Sequence, residues 1–225
     1  MRKFGIRMGG NESDIENTIS TYLSKTEDKE FKYLEIGAAG TVSMKSIYEI
    51  ISENVKHNNW QVYGLDLPNG WSLDWNEIQK FNHPLSIFIN GNKSMSRFDD
   101  FSKASLWLES EPRKWISNLK DESIDICFID GCHGAPCVIA DFKAVQSKIK
   151  KDGIVFFHDA GEPEQGTDWQ GHCNEYINVR KAVYDLGLLN TSDKKLEHWE
   201  FLFETEGSRK IGKDGNSCVF IKKNK

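Results

Sequence analysis

Short apolar runs alternate along this chain with longer stretches in which apolar residues repeat every three or four positions. The short runs predict five strands, which cover residues 31–36, 61–67, 85–90, 124–129 and 154–157. The longer stretches predict helices, as in the stripe formed by Met44, Ile47, Ile51 and Val55. Strands that alternate with helices indicate an α/β fold with a doubly wound, Rossmann-like parallel sheet.

Further helices are predicted at the start of the chain and in its second half. Within residues 1–30 we expect an amphipathic helix that caps the sheet or the mouth of a site. Residues 98–120 favour helical pieces that are broken at Pro112. Pro136 is typical of the first turn of a helix. The buried stripe of that helix is predicted to contain Val138, Phe142, Val145 and Ile149.

The C-terminal part of the chain follows a different pattern. Trp199, Phe201 and Phe203 alternate with polar residues, and a turn-rich connection over 206–217 leads to an apolar run at 218–221. This alternation predicts a C-terminal antiparallel hairpin. The polar loop 160–173 is either a lid over a substrate or a solvated connection. Because no repeat or break in composition divides the chain, we expect residues 1–225 to form a single domain.

Composition narrows the classes of partner. The net charge of −5 and the pI near 5.7 offer no electrostatic reason to expect nucleic acid or a membrane surface as a partner. We expect no membrane span and no secretory leader, since no run approaches the roughly 18 apolar residues that a span needs. The five cysteines are scattered without a CxxC pair, which favours free thiols in a reducing cytoplasm.

Polar or glycine clusters follow all five predicted strands. In open α/β sheets, ligands bind beyond the carboxyl ends of the strands. A set of clusters at five successive strand ends is therefore more specific than any one of them. The clusters are Glu35 with Gly37 and Gly40, then Asp66, then 91–94, then Asp130 to His133, and finally His158 with Asp159.

The first three clusters suit a nucleotide-like cofactor. Gly37 and Gly40 allow the backbone to approach a ligand closely and to expose amides at a helix start, although a plain tight turn has the same pattern. Asp66 ends the next strand, where a carboxylate accepts hydrogen bonds from both hydroxyls of a ribose; otherwise it is a surface turn residue. Residues 91–94 either face an adenine edge or form a turn with a helix cap at Ser94.

The last two clusters are candidates for the chemistry. With an ordinary pKa of roughly 6.5, His133 could remove a proton from a hydroxyl near neutral pH. Asp130 and Asp159 end adjacent strands, so their carboxylates are expected to converge and either to hold a divalent cation or to orient a base. The alternative for Asp130 is an ordinary Asp-Gly turn.

Together these residues resemble the class I S-adenosylmethionine-dependent methyltransferases. The similarity is closest to small-molecule, sugar O-methyltransferase-like members with a DGxH turn after strand four and an HD pair after strand five. The matching segments are YLEIGAAG (33–40), YGLDL (63–67), IDICFIDGCHG (124–134) and GIVFFHDA (153–160). The resemblance spans about residues 31–222. It implies seven strands with the last antiparallel, S-adenosylmethionine over Gly37 and Gly40 with its ribose on Asp66, and a substrate hydroxyl near Asp130, His133 and Asp159.

Sugar O-methyltransferases of this type hold Mg²⁺ with acidic residues at the ends of strands four and five. A further acidic residue, two positions after the one that ends strand four, takes the proton. This chain has Cys132 in the place of that further acid, and His158 where some metal-dependent relatives have a carboxylate. Ala39 and Thr41 also stand where many relatives have glycine. We therefore expect His133 to be the base, with Asp130 as the next choice.

The resulting prediction is a cytoplasmic enzyme that transfers a methyl group from S-adenosylmethionine to a hydroxyl of a small, sugar-like molecule. The catalytic residues are predicted to be His133, Asp130 and Asp159, with Asp130 and Asp159 as ligands of any Mg²⁺. Two alternatives stay open, an NAD-dependent oxidoreductase and a non-catalytic binding protein; a homo-oligomer is also open. The predicted cofactor-binding residues are Glu35, Gly37, Ala38, Ala39, Gly40, Ser43, Asp66, Leu67, Gly91, Asn92, Ser94, Asp130 and Gly131.

Overall fold

A computed structural model of the protein describes residues 12–26, 30–38, 42–56, 59–66, 103–108, 112–160, 174–190, 192–204 and 218–224. The strands are β1 Phe31–Ile36, β2 Trp60–Asp66, β3 Ala104–Leu108, β4 Ile124–Ile129, β5 Ile149–Phe157, β6 Trp199–Glu204 and β7 Val219–Lys223. The helices are α1 Glu12–Leu23, α2 Val42–Asn54, α3 Pro112–Ser117, α4 Ala135–Val145 and α5 Asn174–Asp185. None of these helices is long and apolar enough to cross a membrane.

The strands form one sheet in the order β3-β2-β1-β4-β5-β7-β6. β1 to β5 run parallel to one another, whereas β7 is antiparallel to both β5 and β6. The predicted mixed α/β class is thus confirmed. Because parallel strands point the same way, the carboxyl ends of β1, β2, β4 and β5 meet at one edge of the sheet.

The sheet is buried on both faces. Successive strand residues point to opposite faces, so Ile126 and Phe128 of β4 pack with α1 and α2, whereas Cys127 and Ile129 pack with α4 and α5. All six residues of β4 are buried as a result. A central strand covered on both sides reads in sequence as a continuous apolar run, which is why β4 was predictable.

The third described strand differs from the prediction. Residues 104–108 pair with β2 as an edge strand, although helical pieces were predicted over 98–120. That prediction joined Trp107 to Trp115, but these residues belong to a strand and to a separate short helix that starts at Pro112. The strand predicted at 85–90 lies outside the described residues.

β5 starts earlier than predicted. Ile149 was expected on the preceding helix and Asp152-Gly153 in a turn, but all three lie within the strand. The strand is irregular there, since Asp152 has a φ of 64° and the pairing with β4 shifts between Ile124 and Ile126. A Cβ on Gly153 would lie 2.6 Å from Ile149 Cγ2 and 2.9 Å from the Asp125 carbonyl oxygen, so the kinked strand needs glycine.

Candidate active site

Gly37 joins the ends of three strands. Its φ is 90°, and a Cβ there would lie 2.2 Å from the Asp130 carbonyl oxygen, so only glycine fits between β1 and β4. The amides of Gly37 and Ala38 both donate to the carbonyl of Leu65, at 2.8 and 3.1 Å. These two amides therefore hold β1 to β2 and are not exposed for a ligand, contrary to the prediction for Gly37. Ala39 and Gly40 lie outside the described residues.

Glu35 is fully buried at the end of β1. The Tyr33 hydroxyl donates to Oε2 at 2.9 Å, and the Ser43 hydroxyl at the start of α2 donates to Oε1. The pKa of Glu35 is raised to about 8, mainly by burial. The two hydrogen bonds lower the pKa, and the charges of Asp130 and Asp66 raise it. Glu35 is thus predominantly protonated near pH 7 and ties the first strand to the first helix after it.

The other predicted cofactor residues are only partly described. Asp66 is the last residue of β2, is half-buried and pairs in register with Leu108 of β3. It lies close enough to Glu35 for its charge to affect the pKa of that residue. Gly131 lies beside Ile36 and Asp141. Leu67, Gly91, Asn92 and Ser94 lie outside the described residues, as does the predicted lid beyond Ala160.

His158 links the two aspartates at the ends of β4 and β5. Its Nδ1 lies 2.7 Å from Asp130 Oδ1 and 3.2 Å from Asp159 Oδ2. Burial of the ring lowers the pKa of His158, but the charge of Asp130 and the hydrogen bonds to Asp130 and Asp159 outweigh this and raise it to about 10. His158 is therefore a buried imidazolium at neutral pH.

Asp130 is correspondingly held in its charged form. Burial raises the pKa of this carboxyl, but the charge of His158 and the hydrogen bonds from His133 and His158 bring it below the ordinary value. A carboxylate with a lowered pKa is a weak base near neutral pH.

His133 bridges the same two carboxylates from the β4–α4 loop. Its Nε2 lies 3.6 Å from Asp130 Oδ1 and 3.5 Å from Asp159 Oδ2. The hydrogen bond to Asp130 raises the pKa of His133; burial lowers it, and the charge of Asp159 raises it again, for a net increase. Asp159 adopts a φ of 55°, a left-handed conformation that Asp tolerates, at the turn that follows β5.

The cluster of Asp130, His133, His158 and Asp159 has unused polar atoms. His158 Nε2 and Asp159 Oδ1 are buried and have no hydrogen-bond partner among the described residues, an arrangement that calls for a further group such as a ligand. Asp130, His133 and Asp159 each offer one potential ligand atom, and these three atoms lie within 4.8 Å of one another. Two carboxylates suit Mg²⁺, and the imidazole extends the range to transition metals, so the donor set fits a divalent cation.

Sequence reasoning predicted a catalytic role for three members of this cluster; it placed His158 beside Asp159 at a strand end, and noted it as a departure from relatives, but gave it no role. The HD pair after β5 was the available signal. It could not show that His158 Nδ1 contacts Asp130, which depends on the pairing of β4 with β5. The roles of Tyr33 and Ser43 as partners of Glu35 were likewise invisible in the sequence.

A separate groove of about 790 Å³ lies near the amino-terminal end of β4. Tyr22, Asp125 and Lys150 line it together with other residues of α1 and β5. Asp125 accepts hydrogen bonds there from Tyr22 and Lys150, at 3.1 and 2.7 Å. None of the predicted site residues lines this groove, so its size does not make it the candidate active site.

The fold of this chain is shared by several solved structures. An O-methyltransferase from Bacillus cereus in complex with SAH is 15% identical, with a TM-score of 0.57 over 92% of this chain and 81% of that one. The O-methyltransferase TomG from Streptomyces achromogenes, in complex with SAM, is 12% identical, with a TM-score of 0.55 over 93% and 80%. An rRNA methylase from Streptococcus thermophilus is 10% identical, with a TM-score of 0.53 over 92% and 95%.

At these identities the structures establish the fold and no more. None of the curated proteins matches the sequence. A family model described as a methyltransferase domain matches residues 34–160, which is more than half of the chain and runs from β1 to the residue after Asp159. That stretch contains Gly37, Asp66 and the whole cluster at the ends of β4 and β5, and on this match the chain belongs to the methyltransferase domain family and is a methyltransferase.

Proposed function

We propose that this methyltransferase transfers a methyl group from S-adenosylmethionine to a hydroxyl of a small, sugar-like molecule. The observation that carries the proposal is the cluster of Asp130, His133, His158 and Asp159 beside the turn at Gly37. Its two imidazoles and two carboxylates lie at the edge of the sheet where α/β proteins bind ligands. Two structural neighbours that are O-methyltransferases, in complex with SAH and SAM, support the cofactor.

The cofactor would lie across the carboxyl ends of β1 and β2. Asp66, at the end of β2, would accept hydrogen bonds from the ribose hydroxyls. Glu35 would help to fix the position of β1 relative to α2 beside the cofactor, because the hydroxyls of Tyr33 and Ser43 both donate to its carboxyl group. Gly37 and Ala38 would contribute space and shape rather than amide donors, since Leu65 accepts from both.

The reaction would be an in-line displacement at the methyl group of the sulfonium. The acceptor oxygen forms the new bond to carbon, the sulfur keeps the electron pair of the broken bond, and the hydroxyl proton goes to His133. Asp130 and Asp159 would orient the His133 ring and stabilise its imidazolium after the transfer. The lowered pKa of Asp130 supports His133 rather than Asp130 as the base.

A divalent cation is a second element of the proposal. Asp130 and Asp159 would hold Mg²⁺, with the His133 ring as a further donor for a softer cation. When bound, the cation would supply a Lewis acid that makes the acceptor hydroxyl more acidic. Dialysis against EDTA tests it: activity that is lost and returns with MgCl₂ supports the cation, and activity that persists refutes it.

Calorimetric titration with S-adenosylhomocysteine, followed by transfer assays with labelled S-adenosylmethionine over a panel of sugars and polyols, tests the main proposal. We expect binding, and transfer of label to a hydroxylated acceptor. His133→Ala should lower kcat by about 100- to 10,000-fold while cofactor affinity stays within about threefold. Asp121→Asn is the control, because Asp121 is exposed and its nearest cation is Lys148 on the surface. Absence of cofactor binding by the wild type would refute the proposal.

The same assays address the alternatives. Nicotinamide chemistry predicts NADH binding, and the family match gives it no support. A non-catalytic role predicts that Asp130→Ala and His133→Ala leave the biological role intact. An RNA acceptor is a further alternative because one structural neighbour is an rRNA methylase, but the net charge of −5 favours a small molecule.

We further propose that residues 1–225 form one domain that works in a reducing cytoplasm, which the free cysteines support.

A further inference from the structure

Two cysteine side chains face each other beside the candidate active site. Cys132 is exposed in the β4–α4 loop, and Cys137 lies in the first turn of α4. A Cβ on Gly134 would lie 3.5 Å from Cys132 Sγ and 3.9 Å from Cys137 Sγ, so both thiols lie over the same glycine. Oxidation could therefore join them if the loop moves toward α4.

The surroundings distinguish this pair from the other described cysteines. Cys127 and Cys218 are fully buried in the core, and burial raises the pKa of both thiols well above the ordinary value, so neither is a ready nucleophile. Cys132 is accessible to a dissolved oxidant, and Cys137 lies close enough to react with the oxidised Cys132 in a second step. The contact with Cys132 and burial raise the pKa of Cys137, and the charge of Arg113, which is itself paired with Asp141 at 2.9 Å, only partly offsets this.

We propose that Cys132 and Cys137 are a redox modification site at which a low-molecular-weight disulfide, such as glutathione disulfide, forms an intramolecular disulfide bond. The Cys132 thiolate attacks one sulfur of glutathione disulfide and releases one glutathione thiolate. The Cys137 thiolate then attacks the Cys132 sulfur of the mixed disulfide and releases the second glutathione. The protein loses two protons and two electrons, and glutathione disulfide is reduced to two molecules of glutathione.

The bond would affect the cluster through His133. This residue lies between the two cysteines in the loop, and its Nε2 is 3.5 Å from Asp159 Oδ2 and 3.6 Å from Asp130 Oδ1. A disulfide would close a short ring over residues 132–137 and draw the loop toward α4. This consequence rests on the proposed function, because it assigns a role to His133, whereas the modification itself does not.

Peptide mapping of the whole protein tests the modification without an activity assay. Cleavage after Lys120 and Lys143 gives one peptide that contains Cys127, Cys132 and Cys137. After incubation with glutathione disulfide, denaturation and alkylation, we expect this peptide to lose two hydrogens and to carry a single alkyl group, on Cys127. Treatment with dithiothreitol should restore three alkylated cysteines.

Single substitutions check the order of the two steps. Cys137→Ser should stop the reaction at a glutathione adduct on Cys132, and Cys132→Ser should leave Cys137 alkylated. Cys173→Ser is the control and should behave as the wild type. The proposal is overturned if Cys132 and Cys137 stay alkylated, if the wild type keeps only glutathione adducts, or if Cys132 instead pairs with Cys173 or with a second chain.

The consequence for function has its own readout. Once a methyl acceptor is known, oxidation should lower the activity of the wild type at least tenfold, and dithiothreitol should reverse the loss. The same treatment should leave the activity of Cys132→Ser at its own untreated value. A disulfide that forms without loss of activity would overturn the effect on His133 but not the modification, and failure to find any acceptor leaves the peptide map as the deciding measurement.

Discussion

Two histidines and two aspartates share a small volume at the ends of β4 and β5, and His158 decides how their charges balance. Its buried ring contacts Asp130 and Asp159, and its pKa rises to about 10 as a result. The lowered pKa of Asp130 keeps that carboxylate charged although it lies largely within the protein. His133 and Asp130 keep some exposure to solvent, 21% and 17% of their side chains, whereas His158 and Asp159 are nearly buried at 7% and 6%.

Replacement of His158 by Asn should destabilise the protein. The amide can still donate to Asp130, but the positive charge between the two carboxylates is lost. We expect the free energy of unfolding at pH 7 to fall by about 2–4 kcal/mol, measured by urea denaturation. His198→Asn is the matched control, since His198 is about half exposed and its nearest carboxylate, on Glu197, is 3.8 Å away. Equal stability of the two variants would contradict this charge balance.

Glu35 should make stability depend on pH. Its pKa is about 8 in the folded protein and near the ordinary value of 4.5 when unfolded, so the folded state binds the extra proton. The stabilisation is fully present below pH 4.5 and is lost as the pH rises through 8. Relative to Glu35→Gln, which is neutral throughout, the wild type should lose roughly 2–4 kcal/mol between pH 4.5 and 8.5. The free energy of unfolding of both proteins is measured by urea denaturation at several pH values. The same pH dependence for the two proteins would contradict the raised pKa of Glu35.

At the scale of elements, the site depends on how closely β1 and β4 approach each other. The amide of Asp130 donates to the carbonyl of Ile36 at 2.8 Å, and Gly37 passes directly beside Asp130. The sequence predicted a tight turn at Gly37 from its glycines. The glycine is required there because β4, which is distant in sequence, passes beside Gly37. The glycine pattern of the turn alone could not show this contact.

Gly37→Ala should therefore be much more harmful than Gly131→Ala. At Gly37 the new Cβ meets the Asp130 backbone at 2.2 Å and the φ of 90° is strained, whereas at Gly131 the nearest atoms are 3.6 Å away. We expect the first substitution to lower the free energy of unfolding by about 3 kcal/mol or more and the second by less than about 1 kcal/mol. Thermal denaturation of both variants measures this. Similar melting temperatures would show that the strands can separate at Gly37 without penalty.

At the scale of the whole molecule, apolar cores on both faces of the sheet hold its carboxyl edge rigid. α1 and α2 cover one face, and α4 and α5 cover the other. The chemistry therefore depends on strand ends that can move little relative to one another. The elements that would close the site from above, including the predicted lid after Ala160, lie outside the described residues.

Binding of S-adenosylhomocysteine should stabilise the folded protein, since a ligand that binds only the native state adds to its stability. At about 100 times its dissociation constant the gain is roughly 2.7 kcal/mol, which raises the melting temperature of a domain of this size by about 5–10 °C. Asp66→Ala should reduce this shift at the same ligand concentration, and NADH should produce none. A shift with NADH instead would favour the nicotinamide alternative.

The sequence by itself determined the order of most elements, because buried central strands such as β4 are continuous apolar runs and helices show their stripes. It also determined which strand ends carry polar residues. The helical prediction over 98–120 was wrong at residues 104–108, since an edge strand beside a short helix has no distinctive periodicity. The tertiary structure alone decided that Gly37 is required by contact with Asp130, and that His158 contacts both Asp130 and Asp159. Both depend on distances between residues far apart in the chain, which strand register sets and local pattern does not record.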